Sequence, residues 1–171
     1  ICGGALAGRS YHYGIHTQIL EEKMCGGGAH TAPDRTIPRV RGFDDVFYIP
    51  HSRHTAIRRE DVERVPELKI LATSPEAGVY ALSTESGRQI FITGHSEYDA
   101  DTLEQEYRRD KSQGKPIDIP KNYYPNDDDA QPPKVTWRSS ANLLYSNWLN
   151  YFVYQTTPFD LRQLPPQLER R

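Results

Sequence analysis

The chain has 171 residues, with 21 Lys and Arg against 23 Asp and Glu for a formal net charge of −2, and 36% hydrophobic residues. That length fits one domain able to bury a core of its own. The balanced charge excludes a general nucleic-acid or membrane-surface binder, which needs a basic excess or stripe, and no apolar run reaches the roughly 18 residues of a membrane span.

The first residue is Ile, and no charged n-region precedes an apolar segment, so the start reads as an excerpt or a processed product. Residues 2–13 predict a turn into a short helix, because their Gly and Ala let the backbone bend sharply, and Gly14 suits its C-cap. Cys25 to Pro38 holds three consecutive glycines and two prolines, which predicts a mobile loop. Val46 to Ile49 predicts a short strand halted by Pro50, and Arg59 to Val65 a surface helix.

Leu68–Ala72, Val79–Leu82 and Ile90–Ile92 are apolar runs expected to be strands, the last leading straight into Gly94-His95. Asp101-Thr102-Leu103-Glu104 has the spacing of a capping box and predicts a helix from about Thr102 to Arg109. Leu103 and Tyr107 would form its inner face, with Glu104 and Arg108 an i,i+4 pair outside. Lys115 to Pro133 is rich in Pro, Asn and Asp and predicts a long connecting loop. Trp137, Leu144, Trp148 and Phe152 recur at helical spacing, predicting a long amphipathic helix that Pro158 stops. Strands mixed with helices at these lengths point to an α/β sheet over residues 1–161, and 162–171 to a loosely held tail.

Chemistry concentrates at Cys2 and at Gly94-His95-Ser96-Glu97-Tyr98-Asp99. A thiol attacks carbonyls as thiolate, so it needs a base and a group that orients the base. Cysteine with a distant His and an acidic partner two positions on is the minimal set for thiol acyl transfer. The two cysteines lack zinc-type spacing and read as reduced thiols, with Cys25 incidental. His51 and His54 lack a third ligand at suitable spacing, and Arg53 and His54 read better as bracing Ser52. The triple glycine lacks the phosphate-loop pattern, and Asp127-Asp128-Asp129 lacks the Gly and Glu of a calcium loop. No metal site is expected.

Seven segments in order give the chain a wider resemblance. They are Cys2-Gly3-Gly4-Ala5-Leu6-Ala7-Gly8, Tyr11-His12-Tyr13-Gly14-Ile15, Arg41-Gly42-Phe43-Asp44-Asp45 and Pro50-His51-Ser52-Arg53-His54. Then come Thr93-Gly94-His95-Ser96-Glu97-Tyr98-Asp99, Asn122-Tyr123-Tyr124-Pro125-Asn126-Asp127 and Asn147-Trp148-Leu149-Asn150-Tyr151-Phe152-Val153-Tyr154-Gln155. Together they resemble the second half of the homoserine O-acyltransferase family (homoserine O-succinyltransferase type). The resemblance implies a class I glutamine-amidotransferase-like, flavodoxin-like three-layer fold, here partial because the family's first half is missing.

It further implies a cytoplasmic, homodimeric enzyme of methionine biosynthesis that transfers an acyl group from succinyl-CoA or acetyl-CoA to L-homoserine, with no bound cofactor. Cys2 would be the nucleophile, His95 the base and Glu97 its orienting partner, while Lys23, Ser52 and Arg109 match substrate-binding positions. Arg109 suits a bidentate grip on a carboxylate. The chain departs from the family at Gly3, where a Trp is usual, and at Leu6, where a Gln is usual. Two other readings stand beside acyl transfer: glutaminase-type hydrolysis by the same thiol chemistry, and an inactive half that folds only beside its missing partner. The Arg41 to Asp45 and Pro50 to His54 segments favour the acyltransferase over the hydrolase, and an exposed sheet edge would mark the inactive half.

Overall fold

The computed structural model describes residues 1–158 and 160–163. Helix α1, Cys2–Tyr13, ends as its sequence predicts: Gly14 sits at φ 66° and its amide reaches Ser10 O at 3.0 Å. Arg9, fully buried, ties the helix to the next turn by donating to Ile15 O at 2.8 Å and Thr17 Oγ1 at 3.0 Å.

The expected loop after Cys25 is instead strand. β1, Gln18–His30, runs through all three glycines and pairs antiparallel with β2, Phe47–Ala56. The glycines mark a close approach, not slack. The Lys121 segment presses against β1, with Gly27 N–H donating to Lys121 O at 2.7 Å and Lys121 N–H to Cys25 O at 3.2 Å. A Cβ on Gly26, whose φ is 131°, would collide with the Lys121 backbone. Pro50 likewise fails to stop β2. It lies opposite Gly27, and its carbonyl points away from β1 to accept the His95 amide at 2.8 Å. Because a strand residue's N and O face the same side, the missing N–H falls where the β1 ladder needs none.

After α2, Arg59–Glu63, the three expected strands form an antiparallel meander of β3, Leu68–Ser74, β4, Gly78–Thr84, and β5, Ile90–Ile92. A bridge between Thr31 and Thr73 joins the end of β1 to β3. One face of the meander carries Leu71, Ala72, Tyr80 and Ile92 against Phe47, Ile49 and Leu144; the other packs Val79, Leu82 and Phe91 against Ala5 of α1 and Val62 of α2. The result is a mixed α/β unit with helices against both faces of the β4–β5 pair.

Helix α3, Thr102–Ser112, buries Leu103 and Tyr107 as predicted, and Arg108 Nε reaches Glu104 Oε1 at 3.0 Å. The capping box does not form. Asp101 makes no side-chain cap bond and instead accepts from Gln105 Nε2 at 2.7 Å. The Tyr123 hydroxyl takes the Glu104 amide at 3.2 Å, the donor that a cap side chain would satisfy. The 115–133 stretch is irregular apart from the Lys121 bridge and a single 3-10 turn at Pro125–Asp127. Helix α4, Arg138–Trp148, starts one residue after Trp137 and widens into a π-helical turn, Leu149–Tyr154, before Pro158. Trp137 and Leu144 are buried while Trp148 is exposed. Among the described residues no helix is long and apolar enough to cross a membrane. Of the expected tail, Arg162 and Gln163 close a short 3-10 turn from Leu161, and the remainder lies outside the described residues.

Candidate active site

Cys2 is the first helical residue of α1, and its φ of 48° is in the left-handed region. A side-chain-bearing residue rarely stays there, which stores strain of order 1–3 kcal/mol. The thiol is half-buried at the start of the helix. The first turn offers backbone N–H groups without intrahelical partners, Gly3 among them, and the positive end of the helix dipole. A Cβ on Gly3 or Gly4 would meet nothing within 4 Å, so the approach to this turn is open.

β5 ends at Ile92, and the chain turns over β4 to present His95. Thr93 Oγ1 donates to Val79 O at 2.9 Å, and the His95 amide is held by Pro50 O. Gly94 allows the turn to lie flat: a Cβ there would stand 2.7 Å from Ile49 Cγ2 and 2.9 Å from His51 Cε1. His95 Nδ1 donates to Glu97 Oε1 at 2.7 Å, which leaves Nε2 free to take a proton. The ring stacks on Tyr98, centroids 4.3 Å apart. Burial, then the carboxylates Glu106 and Glu97 and the sulfurs of Cys2 and Cys25, push the Tyr98 hydroxyl up to about 12. Cys2 is thus within electrostatic reach of the tyrosine that carries His95. Burial lowers the Arg53 guanidinium, and the Cys2 sulfur opposes that shift.

The two cysteines differ sharply. Cys25 is buried in the core with Leu103, Tyr107 and Trp137, and burial pushes its thiol up to about 11, so it stays protonated and unreactive. Both are free thiols.

Lys23, Ser52 and Arg109 come together through two acids that the sequence reading passed over. Lys23 Nζ lies 3.6 Å from Glu106 Oε2 and 3.4 Å from Asp110 Oδ2. Ser52 Oγ donates to Glu106, and Arg109 Nε to Asp110 Oδ1 at 2.9 Å. Burial alone would raise the Asp110 carboxyl, but hydrogen bonds from Arg109, Lys115 and Lys23 outweigh it and hold it at about 2. The available signal was the i,i+4 spacing of Glu106 and Asp110, which sets both acids on one face of α3. The charge of Glu106 also reaches Tyr98, so this cluster borders the His95 stack.

The family model described as homoserine O-succinyltransferase matches residues 1–159. A homoserine O-acetyltransferase of Brevibacillus brevis is 58% identical over 161 residues, 94% of this chain and 53% of that protein. One of Acetivibrio thermocellus is 57% identical over 164 residues, 96% of this chain and 54% of that protein. The chain therefore spans about half the length of the curated relatives it matches. A glutamine amidotransferase structure from Methylobacillus flagellatus superposes with a TM-score of 0.57 at 12% identity, covering 87% of this chain and 60% of that one. At that identity the likeness concerns the fold alone, which is of the class I amidotransferase type.

Proposed function

The chain belongs to the homoserine O-succinyltransferase family, and we propose that the protein is a homoserine O-acyltransferase working by ping-pong transfer through an acyl-Cys2 thioester. The observation that carries the reading is Cys2 itself, held at positive φ on the first turn of α1 in a chain whose His95–Glu97 pair is already hydrogen-bonded.

In the first half-reaction His95 Nε2 takes the Cys2 proton, and the thiolate attacks the carbonyl of an acyl-CoA thioester. The Gly3 amide and its neighbours on the first turn steady the oxyanion. Collapse expels the CoA thiolate, which recovers the proton from His95. In the second, the homoserine hydroxyl gives its proton to His95 and attacks the acyl-Cys2 carbonyl. The Cys2 thiolate leaves and is reprotonated. Glu97 holds the ring in the tautomer that keeps Nε2 free and steadies the imidazolium each time.

Arg109, more than half exposed, would grip the amino-acid carboxylate bidentately, with Lys23 and Ser52 joined to it through Asp110 and Glu106. Its present partner Asp110 is shared with Lys23 and Lys115, so releasing Arg109 to a substrate leaves that carboxylate still paired. The relatives' names favour acetyl-CoA as donor. The setting that fits is a cytoplasmic enzyme of methionine biosynthesis with reduced thiols, acting as a homodimer.

Intact-protein mass spectrometry tests this directly. Mixing with acetyl-CoA or succinyl-CoA should add one acyl group, absent in Cys2→Ala, that homoserine then discharges. No adduct, or an adduct that water discharges as fast as homoserine does, would refute the acyltransferase reading.

A further inference from the structure

Beneath the His95 turn lies a chain of buried polar groups that the proposed reaction does not use. Arg53 Nε donates to His51 Nδ1 at 3.3 Å, His51 Nε2 meets His30 Nε2 at 3.1 Å, and His30 Nδ1 meets Gly28 O at 2.7 Å. Both histidines are fully buried.

The two ends of the chain fix every proton in it. A carbonyl can only accept, so His30 carries its proton on Nδ1 and accepts on Nε2. A guanidinium can only donate, so His51 accepts on Nδ1 and carries its proton on Nε2. The two deductions meet at one His51 N–H···N His30 bond, and both rings are neutral. Burial agrees: it holds His30 down at about 4 and His51 well below the ordinary histidine range. Arg53 is itself anchored, its other nitrogens donating to Thr55 O and Ala77 O. Gly28 makes room for the stack, since a Cβ there would stand 2.9 Å from His30 Cε1 and 3.3 Å from His51 Cδ2.

His51 touches what holds His95. Its Cε1 lies under Gly94, where even one added methyl would collide, and its neighbour in β2, Pro50, accepts the His95 amide. The same bed includes Tyr80, which packs on both histidine rings and hydrogen-bonds Ser96 at 2.6 Å. A packed interior transmits such support because it has no slack to absorb a shift.

We propose that His51, locked in one tautomer between Arg53 and His30, is a positioning residue for His95, setting the place of the Gly94–His95 backbone above β2. This rests on the reading of His95 as the general base. His51 does not touch substrate; it acts through the turn above it.

The test uses the intact protein labelled with ¹⁵N at histidine, as wild type and as His51→Phe, His51→Gln and His30→Met. Phe supplies a ring without hydrogen bonds, Gln restores a donor toward His30, and Met breaks the chain at its far end. His51→Phe should move the His95 ring-nitrogen resonances and slow acylation of Cys2 by acetyl-CoA by roughly tenfold to a hundredfold, the order expected for an ångström of misplacement. His51→Gln should recover part of that rate, and His30→Met should produce the same displacement in smaller measure. Loss of thermal stability with His95 resonances and acylation at wild-type values would overturn the proposal and leave the pair as packing. Should His51→Phe not fold, unmoved His95 resonances in His30→Met would overturn it equally. A wild type that never acylates would refute the base assignment instead, and the resonances would still report whether His51 sets the place of His95.

Discussion

Two polar regions flank the candidate site and are built in different ways. Under His95 the polar side chains are buried and, apart from the Arg53 guanidinium that donates to His51, bonded to neutral partners: His51 to His30, His30 to Gly28 O, Tyr80 to Ser96. On α3 the contacts are between charges, with Lys23, Arg109 and Lys115 gathered on Asp110 and Lys23 reaching Glu106 as well. Neutral hydrogen bonds in a dry interior are directional and costly to leave unmade, so they fix geometry. Ion pairs whose cations stay half-exposed, as Arg109 and Lys115 do on the buried Asp110, are individually weak and interchangeable, so the cations can be traded to a ligand's charges. The first arrangement suits holding a base in place, the second suits receiving an amino-acid substrate.

Acid should take the two regions apart in sequence, which is the widest separation the comparison allows. His30 titrates near 6.5 when unfolded and at about 4 when folded. Between these values the unfolded chain binds the proton and the folded one refuses it, so stability is complete above pH 6.5 and falls as pH drops toward 4. The loss from His30 is on the order of 3 kcal/mol, and His51 acts in the same direction. Asp110, held at about 2 against an ordinary 3.8, contributes stability that is complete above pH 3.8 and is lost only as pH falls toward 2. Denaturant unfolding followed against pH should show both windows. His30→Asn should flatten the upper one and Asp110→Asn only the lower. A His30→Asn protein with the wild-type slope between pH 6.5 and 4 would mean that the pair is not the neutral, buried chain described.

The next contrast is steric. Gly94→Ala puts a methyl against Ile49 Cγ2 and His51 Cε1 in a bed that cannot yield, and should cost about 1–3 kcal/mol. Gly3→Ala adds the same methyl where nothing lies within 4 Å, inside a helix that favours Ala, and should be neutral or stabilising by up to about 1 kcal/mol. Thermal unfolding of the two variants side by side checks this. Equal midpoints would show that the His95 turn is not rigidly supported.

Much of this was readable in advance, and unevenly so. Cys2, His95 and Glu97 stand out because a thiol before a small-residue helix and a His-x-Glu after an apolar strand are local patterns. α1 with its Gly14 cap and the β3–β4–β5 meander follow from the same local signals. β1 was hidden because a triple glycine reads as a breaker, when the glycines in fact admit the Lys121 backbone from far along the chain. β2 was cut short because the proline rule applies only to the side that faces a ladder. The cap of α3 went to Tyr123, and the histidine chain joins residues 30, 51 and 53, so neither could be found by reading neighbours. Local chemistry was legible; what braces it is long-range.

The smallest expected effect concerns the exchangeable region. Arg109 donates from Nε to a single oxygen of Asp110, Oδ1, which also lies 2.9 Å from Nη2 and is shared with Lys115. A lysine in its place would keep the positive charge but lose the planar fork that can bond both oxygens of a substrate carboxylate. Arg109→Lys should therefore raise the KM for homoserine by roughly tenfold, the value of one charge-assisted hydrogen bond. The effect should appear in the discharge of acyl-Cys2 by homoserine, because the acyl-CoA half-reaction has no amino-acid carboxylate to grip. Steady-state kinetics over both substrates, paired with single-turnover acylation, separates the two steps. A loss confined to acylation would reverse the assignment of the α3 cluster, making it part of the acyl-CoA site and leaving the amino acid to be bound elsewhere.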